Sequence, residues 1–423
     1  MNAIQIYAIA LGGLFCASIL RYSMVRLWEQ ISPYVLKYFT YPHVLRRYRF
    51  LGPWSPLTVT IHLIYITVNI YCLIFRKSSI LEIANRAGTL SLINSFLPFA
   101  GPSLSFLADL TGMSIATYKL IHRSTGLMSF SLALFHALTM VKIQTRDLFG
   151  LLVYIPFTSS TLSWLTNFKG VGSLCLLTIL FNRFLRRLSY EIFLRLHQGL
   201  AAVFIYSMWR HISPTQLFSR ICLYITIALC LSSLVLQCII YVYRNITFRH
   251  GFPRATVTRR HGLVNINVTL SRYLRIRPGQ YINLWIPSVS FWSFLQSHPF
   301  VVVSWTEGKA ESLDLLVIPR KGLTQKMLGH ADMDSEGTLS RLVMFSGPHG
   351  SALAAENYEV VVMVATGSGI FAQLPYLQQL VYGYNNRRSR TQQIRLIWCS
   401  PSDGKFERIL QDGKAYSAQK FTM

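Results

Sequence analysis

Two pairs of histidines share one spacing inside apolar stretches of the chain. His122 and His136 are 14 residues apart, and so are His197 and His211. A helix turns about 100° per residue, so this separation falls roughly 40° short of four full turns and leaves both rings of a pair on one face. With a rise of about 1.5 Å per residue, the two rings lie about 21 Å apart along the axis. Each stretch therefore predicts a helix that presents two imidazoles at two depths.

Haem binding is the chemistry that two such helices, side by side, would support. An ionisable ring inside hydrocarbon is costly without a partner. If the helices run in the same direction, His122 is level with His197, and His136 is level with His211. Because haem iron takes one axial ligand from each side, we predict two haems, whereas zinc would need four ligands at one point. The alternative is ordinary hydrogen-bonded histidines, which is our prediction for His62, alone at this spacing.

The composition of the chain is that of a membrane protein. Of its 423 residues 52% are hydrophobic and only 13% are charged, whereas soluble proteins carry about a quarter charged residues. The net charge of +25 would suit nucleic acid, but residues 1–246 hold 21 basic and 5 acidic side chains among long apolar runs. Positive charge there usually marks cytoplasmic loops, so we expect the lipid bilayer rather than nucleic acid as the partner. The odd count of seven cysteines excludes a disulfide-built secreted scaffold.

The first 246 residues supply seven apolar runs, each near the roughly 20 residues that a helix needs to cross a bilayer. The first run lacks the basic n-region of a signal peptide, so we interpret it as a span. Basic clusters after the first span and between the fifth and sixth predict an external amino terminus and a cytoplasmic segment after Tyr243. The predicted spans are Ile4–Leu27, Pro56–Phe75, Gly88–Ala108, Thr117–Val141, Val171–Leu188, Glu191–His211 and Leu217–Tyr243.

The pattern changes at Thr247 to short alternating segments separated by glycine and proline. These segments predict a small antiparallel barrel. Beyond it, a continuously apolar run at Tyr358–Ala365, a glycine turn, a helical stretch to Tyr382 and the strand Ile394–Cys399 indicate the opening of a parallel α/β domain. The barrel strands are predicted at Ala255–Arg259, Val264–Leu270, Tyr281–Ile286, Phe300–Trp305, Leu313–Ile318 and Leu342–Phe345.

Three groups of residues in the apolar half resemble the ferric reductase and NADPH oxidase superfamily of transmembrane cytochromes b. The first two surround the paired histidines, and the third resembles the third span of fungal ferric reductases. The oxidase branch typically shortens the second histidine spacing by one residue, so the spacing of 14 favours the metalloreductase branch. The groups are His122-Arg123 with Gly126 and His136, His197-Gln198-Gly199 with His211, and Asn85-Arg86-Ala87-Gly88 with Asn94 and Pro98. Arg123, Arg195 and Arg210 could pair with haem propionates or extend to the membrane interface.

Three segments of the polar half resemble the flavin-binding barrel of ferredoxin-reductase-like modules. This resemblance implies FAD, with the His-Pro-Phe segment against the isoalloxazine ring. Val301 stands where many relatives have Ser or Thr, and Ser304 is a candidate substitute. His349 stands at the aromatic position of the family's Gly-Pro-aromatic-Gly turn. The implied cofactor-binding residues are Gln280, Tyr281, His298, Pro299, Phe300, Gly347 and Gly350.

The turn Thr366-Gly367-Ser368-Gly369 follows a buried strand and precedes a helix, where backbone amides can receive a pyrophosphate. By the same resemblance its ligand is NADPH. Arg387, Arg388 and Arg390 could grip a 2′-phosphate, although a solvated loop is the stronger interpretation. The family's late Cys-Gly-Pro-type motif is absent from the sequence, so we expect a reductase without its closing tail.

The resemblance implies a membrane domain of about seven helices with a di-haem bundle in residues 1–246. A cytoplasmic FAD-binding antiparallel β-barrel would follow at 247–352, and a partial NADPH-binding α/β domain at 353–423. Electrons would pass from NADPH through FAD and two b-type haems to an extracellular ferric or cupric chelate at the plasma membrane, with an iron-uptake system as a candidate partner. No side chain is needed as a general base or nucleophile. The alternatives are a superoxide-generating oxidase and a non-enzymatic haem protein that modulates longer relatives.

Overall fold

The computed structural model describes residues 27, 30–45, 53–150, 172–173, 175–177, 190–247, 251–260, 263–289, 293, 297–319, 325, 327, 329 and 338–399. The chain divides into two compact units, and two long helices contribute to both. One unit comprises Met1–Leu90 with Phe135–Gly150, and the other comprises Ser91–Leu134 with Leu151–Met423. The predicted spans Ile4–Leu27 and Val171–Leu188 lie largely outside the described residues.

The first unit contains helix α1 (Pro56–Ile74), the beginning of α2 (Ile80–Ser95) and the end of α4 (Ile115–Gly150). Helix α1 starts at a proline because its fixed φ suits the first helical position, and the Ser55 hydroxyl caps the amide of Thr58. At the other end, the Arg86 guanidinium donates to the carbonyl oxygens of Cys72 and Phe75. This contact satisfies free carbonyls at the end of α1 and ties α2 to it.

In the second unit, the predicted span Gly88–Ala108 is not one helix, and that prediction is wrong. Helix α2 ends at Ser95, and a separate short helix α3 covers Leu104–Thr111. Pro98 and Pro102 lie between them, and proline removes a backbone donor and clashes inside a helix. The hydroxyl of Ser103 then caps α3, and Gly112 ends it with φ 68°. Because of this break, α3 is a separate short helix and not a continuation of α2.

The second unit also contains the first part of α4 and the helices α5 (Tyr190–His211) and α6 (Leu217–Asn245). Helices α2 and α4 meet there through a buried serine pair. The Ser91 hydroxyl donates to the carbonyl of Ser129 at 2.8 Å, and the Ser129 hydroxyl donates to the carbonyl of Ser91 at 2.9 Å. Small hydroxyl residues of this kind are typical of packed membrane helices.

Within the described residues, three helices are long and apolar enough to cross a membrane. They are Pro56–Ile74, the Ile115–Ile143 part of α4, and Leu217–Asn245. Most of their apolar side chains face outward and are exposed, as expected for surfaces that lipid covers. A membrane domain is therefore confirmed, whereas the predicted number of seven spans is not.

Two antiparallel sheets follow the helices and enclose one apolar core. The first sheet has the strand order β5-β2-β1-β6, and the second has the order β4-β3-β7. Val257 and Ile266 from the first sheet pack with Ile282, Leu284 and Phe345 from the second. The strands are β1 Arg254–Arg260, β2 Leu263–Leu274, β3 Tyr281–Trp285, β4 His298–Val301, β5 Ala310–Val317, β6 Thr338–Leu342 and β7 Met344–His349.

The predicted antiparallel strands are present, with two corrections. The predicted strand Phe300–Trp305 is β4, which begins earlier and ends at Val301. Strand β4 is at the edge of its sheet, where Pro299 is tolerated because no ladder donor is needed on the open side. The predicted strand Leu342–Phe345 is divided between β6 and β7, which belong to different sheets. The alternation of apolar and polar residues predicted the strands but not which sheet each strand belongs to.

The last described part is the opening of an α/β domain, as predicted. Strand β8 (Val360–Thr366) leads through a glycine turn into helix α7 (Ile370–Asn385), and strand β9 (Gln393–Cys399) returns parallel to β8. A small apolar cluster joins this layer to the antiparallel sheets. Its buried members are Leu263, Val303, Ala365, Ile370, Phe371 and Leu374.

Candidate functional site

His122 on α4 and His197 on α5 face each other in the second unit. Their ring centroids are 6.2 Å apart, and the ring planes make an angle of 59°. The Nδ1 atoms of both rings are buried and have no hydrogen-bond partner among the described residues. Phe193, one helical turn before His197, stacks on its ring with centroids 5.8 Å apart. The structure thus brings together the two histidines of the first predicted pair.

The separation of the two rings would suit two histidine ligands of one metal ion. Two imidazoles that each bind a metal at about 2 Å from opposite sides have ring centroids roughly 6 Å apart. The described residues contain no group of three or more His, Cys, Asp or Glu side chains that could hold a metal by themselves. A metal between His122 and His197 would therefore need further ligands from a macrocycle, as haem provides.

His136 lies on α4 in the first unit, and a neighbouring helix fixes its orientation. Its Nδ1 is 2.8 Å from the carbonyl oxygen of Ala84 on α2, and the ring packs against Gly88. A carbonyl only accepts, so Nδ1 carries the proton and Nε2 is left with its lone pair, the arrangement that metal-binding histidines usually have. His211 is the exposed last residue of α5 in the second unit. The pairing of His136 with His211 stays a prediction.

Gly88→Leu should displace the His136 ring. A Cβ at Gly88 would lie 3.3 Å from His136 Nδ1, so a larger side chain forces the ring away from Ala84. We expect the haem content of the purified protein to fall by about half, since one of the two predicted sites loses its oriented ligand. The control is Gly199→Leu on α5, where an added Cβ meets no atom within 4 Å. Equal haem content in the two variants would contradict the assignment of His136.

His62 has the structural role that its isolation in the sequence predicts. Its Nδ1 donates to the carbonyl of Thr58 in the preceding turn of α1 at 2.7 Å. Its ring stacks on Trp54 with centroids 6.1 Å apart. The residue is therefore a suitable control for substitutions of the other histidines.

Strand β3 brings together the three segments that sequence reasoning predicts beside FAD. It pairs with β4 so that Tyr281 is opposite Val301 and Ile282 is opposite Phe300. On its other side it pairs with β7, where Tyr281 is opposite His349. The Gln280 side chain donates to the carbonyl of Gly350 at 3.1 Å. Residues separated by about 70 positions thus form one local surface.

Inside this surface, the individual residues differ in exposure. Pro299 and Val301 are exposed, whereas Phe300 is only 9% exposed and belongs to the core between the sheets. The Phe300 ring therefore supports the surface from beneath. The Ser304 hydroxyl accepts the amide of Asp314 at 3.0 Å, which ties Ser304 to β5 and leaves its own O–H to donate. Its role as a substitute for a hydroxyl at Val301 stays a prediction.

The turn Gly347–Gly350 is held from two directions. Gly347 has φ 115°, and an added Cβ would lie 3.0 Å from the Tyr281 carbonyl, so glycine is required there. The Arg244 guanidinium at the end of α6 donates to the carbonyl of Gly347. From α3, Asp109 accepts the amide of Gly350 at 3.0 Å, and its other oxygen is 2.5 Å from His349 Nδ1.

Tyr281 is a titratable group of this surface, and its pKa is raised. Burial raises the pKa of its phenol, and the charge of the nearby Asp109 raises it further, whereas the hydrogen bond to Ser105 partly opposes this. The phenol therefore stays protonated at neutral pH and donates to Ser105 Oγ at 2.9 Å. Its ring lies beside His349 with centroids 5.5 Å apart.

A cleft of about 460 Å³ opens beside the same turn, between the antiparallel sheets and α7. Arg275 and Arg277 line it and also line a smaller recess of about 310 Å³ that contains Gln280 and Gly350. Two guanidinium groups at a cleft suit a phosphate-bearing ligand. Sequence reasoning missed both arginines, although the run of Arg-x-Arg directly before Pro278-Gly279 was a usable signal.

The glycine turn of the α/β layer has the predicted position. Residues Gly367–Gly369 form a single 3-10 turn between β8 and α7, and the Trp398 indole donates to the carbonyl of Gly367 at 3.0 Å. Of the three arginines for which a solvated loop is the stronger prediction, Arg388 forms an ion pair with Glu307, which also accepts the Tyr382 hydroxyl. Arg388 is 64% exposed, so this ion pair contributes little stability.

Sequence reasoning also missed the residues of the helical half that contact strands β3 and β7 and the turn Gly347–Gly350, which are Ser105, Asp109 and Asn245. A signal for Asp109 existed, since it is one of only five acidic residues in the first 246. Asn245 had no such signal. Its role depends on a contact 100 residues away in the chain.

Fold and site together define a membrane protein with a flavin-type reductase module, and comparisons with known proteins agree. The family model described as ferric reductase like transmembrane component matches residues 86–208, and the model described as FAD-binding domain matches residues 252–353. The helical half of the chain is thus similar to ferric reductase transmembrane components, and the antiparallel sheets are similar to FAD-binding domains.

Curated proteins similar to this chain include fungal ferric/cupric reductase components. Ferric/cupric reductase transmembrane component 2 of Saccharomyces cerevisiae is 27% identical over 329 residues, which cover 74% of this chain and 42% of the relative. Ferric/cupric reductase transmembrane component 1 of Candida albicans is 28% identical over 328 residues, covering 75% and 39%. The chain spans about two fifths of the length of these relatives.

Solved structures show a weaker similarity. A flavohemoglobin from Malassezia yamatoensis with bound FAD and heme has a TM-score of 0.36 and 14% identity, covering 79% of this chain and 81% of that one. A ferredoxin NADP+ reductase from Neisseria gonorrhoeae has a TM-score of 0.28 and 20% identity, covering 38% and 61%.

Proposed function

We propose that this chain is an oxidoreductase that carries electrons across a membrane, from NADPH through FAD and two b-type haems to an extracellular ferric or cupric chelate. The observation that carries the proposal is the pair of facing imidazoles of His122 and His197, with ring centroids 6.2 Å apart. The FAD-binding domain at residues 252–353 supplies the second argument. The similarity to ferric/cupric reductase transmembrane components supplies the third.

In this proposal the membrane helices provide histidine ligands at two depths. His122 and His197 hold the haem nearer the flavin domain, and His136 with His211 holds the other. The bond from His136 Nδ1 to Ala84 supports this role because it places the proton on Nδ1 and the lone pair on Nε2, the form of histidine that binds a metal. When bound, the cofactors supply the redox chemistry, since a hydride carries two electrons and haem iron takes one at a time.

The polar half would bind the two soluble cofactors. Gln280, Tyr281, Gly347 and Gly350 form the flavin surface, with the His298–Val301 strand beside them. The arginines of the cleft, Arg275 and Arg277, suit the charge of a pyrophosphate. For NADPH, the turn Thr366-Gly367-Ser368-Gly369 would offer backbone amides at the start of α7.

The membrane context is part of the same proposal. The excess of basic residues after the first span and between the fifth and sixth predicts a cytoplasmic flavin domain. NADPH would then be oxidised inside the cell and the metal chelate reduced outside it, at the plasma membrane. An iron-uptake system is the partner that would use the reduced metal.

The test is a pair of assays on the same membranes. Membranes containing the full chain should form a ferrous chelate when NADPH and a ferric chelate are supplied, and His197→Ala should reduce this rate to background. His62→Ala is the matched control, because the His62 ring bonds to Thr58 in its own helix and stacks on the nearby Trp54. Its rate should equal that of the unaltered protein.

Two outcomes would overturn the proposal. Superoxide formation without ferrous-chelate formation would establish an oxidase instead. Absence of NADPH oxidation by purified protein supplied with FAD would favour a non-enzymatic haem protein.

A further inference from the structure

The short helix α3 holds the flavin surface through two side chains on one of its faces. Ser105 and Asp109 are four residues apart, so they lie on the same side of the helix. Ser105 accepts the hydroxyl of Tyr281 at 2.9 Å, and Asp109 Oδ2 lies 2.5 Å from His349 Nδ1. Tyr281 and His349 are neighbours across β3 and β7. One turn of a helix from the segment between two spans therefore contacts both aromatic residues of the surface.

The contact at Asp109 begins a directed chain of hydrogen bonds. A carboxylate only accepts, so His349 Nδ1 carries a proton and donates it to Asp109, and in the neutral ring Nε2 is then an acceptor. Ser346 Oγ is 3.0 Å from Nε2 and donates to it, and Asn283 Nδ2 donates to Ser346 Oγ at 3.3 Å. The chain Asn283–Ser346–His349–Asp109 leaves the ring a single tautomer and a single orientation.

The second oxygen of Asp109 holds the backbone of the same turn. Oδ1 accepts the amide of Gly350 at 3.0 Å, one residue after the ring that Oδ2 binds. The His349 side chain is 4% exposed, and a buried ring without partners is costly. Asp109 thus accepts from the buried Nδ1 of His349 and from the backbone amide of Gly350 with one carboxylate. Hydrogen bonds to a charged group are stronger than those between neutral groups.

We propose that Asp109 is a positioning residue of the flavin site. It sets the orientation of His349 and the position of the Gly350 amide, so that the turn Gly347–Gly350 is shaped for FAD by a residue of the membrane domain. This inference rests on the proposed function in one respect, the binding of FAD at this turn. Its consequence is that FAD affinity depends on a side chain that lies outside the FAD-binding domain.

The experiment measures FAD binding by the full-length protein in detergent micelles. Apoprotein is titrated with FAD, and flavin fluorescence and the visible absorption spectrum of the bound flavin are recorded. The variants are Asp109→Asn, Asp109→Ala, His349→Phe and the double variant Asp109→Asn with His349→Phe. Phenylalanine keeps a ring at the aromatic position but has no nitrogen for Asp109 to bind.

We expect Asp109→Ala to raise the Kd for FAD about tenfold, because it leaves His349 and Gly350 without their acceptor. Asp109→Asn should have a smaller effect and should shift the absorption band of the bound flavin. In the His349→Phe background, Asp109→Asn should change the Kd less than about twofold, since the two residues act as one unit. The matched control is Glu82→Gln, which removes a half-exposed carboxylate paired with Lys77 at 3.5 Å and should leave the Kd unchanged.

Each outcome has a separate meaning. If the unaltered protein binds FAD and Asp109→Ala binds it equally well, the positioning role is wrong and the proposed function stands. An equal effect of Asp109→Asn with and without His349 would also overturn it, because Asp109 would then not act through the ring. If the unaltered protein binds no FAD, the proposed function and this inference both fail. The haem spectrum of each variant shows whether the membrane domain is intact, so loss of folding is recognised separately.

Discussion

Substitution of His197 by alanine should remove the low-spin b-type signal of one haem from the reduced-minus-oxidised absorption spectrum of membranes. The structure places the rings of His122 and His197 side by side, with centroids 6.2 Å apart. An iron held between two imidazoles is six-coordinate, and removal of one ring leaves an open position. We expect the spectrum to lose intensity and the ferric-chelate reduction to fall to background. His122→Ala should have the same effect.

Two further variants give this experiment its internal comparisons. His136→Ala should also reduce the spectrum, by removing a ligand of the second predicted haem, but His122 and His197 should then still give their own signal. His62→Ala should leave the spectrum intact, because His62 donates to Thr58 in its own helix. A spectrum that is indifferent to both His136→Ala and His197→Ala would refute the haem assignment and the electron path with it.

The second large effect is expected at Asn245, the last residue of α6. Its side chain is fully buried, donates to the carbonyl of Phe345 at 2.8 Å and accepts the amide of the same residue at 2.8 Å. It also donates to the carbonyl of Tyr241 at 2.9 Å. The side-chain amide of Asn245 therefore pairs with the backbone of Phe345 as a neighbouring strand would. It joins the end of a membrane helix to the strand that leads into the Gly347 turn.

Asn245→Leu keeps the volume of the side chain but leaves both backbone groups of Phe345 without partners. Each unpaired buried group costs about 1–3 kcal/mol, so we expect a loss of roughly 3–5 kcal/mol in the free energy of unfolding. The apparent melting temperature in detergent, followed by tryptophan fluorescence, should fall on the order of 10 °C.

The matched control for Asn245 is Asn386→Leu. Asn386 is exposed at the end of α7, and its side chain donates to Tyr382 in the same helix at 2.8 Å. This substitution should change the melting temperature by no more than about 2 °C, in line with surface positions. Similar melting temperatures for the two variants would show that Asn245 does not join α6 to the flavin-binding sheets.

The pattern of apolar and polar residues along the sequence predicted most of the secondary structure. Apolar runs of membrane length predicted α1, α4 and α6, because burial in lipid demands a continuous apolar surface and leaves a plain signal in the sequence. Alternation predicted the strands, since one face of each meets the core. The single span predicted at Gly88–Ala108 failed because two prolines outweighed its hydropathy. Pro98 and Pro102 are present in the sequence, but a prediction from hydropathy does not take into account that proline breaks a helix.

The candidate site was predictable where chemistry follows from residue type and spacing. Histidines 14 residues apart had to share a helix face, and the glycine turn after β8 had to lie at the start of a helix. The orientation of each ring was not predictable. Ala84 fixes His136 and Asp109 fixes His349, through contacts 52 and 240 residues apart in the chain.

The sequence by itself determined that this is a membrane protein with paired histidines and a flavin-type module, because composition and local periodicity are properties of neighbouring residues. Only the tertiary structure decided that Ser105, Asp109 and Asn245 of the helical half complete the flavin surface. These are polar partners for buried groups, and which distant residue supplies them depends on how the elements pack. No local pattern encodes that choice, since any hydroxyl, carboxylate or amide of suitable reach would satisfy the same donor.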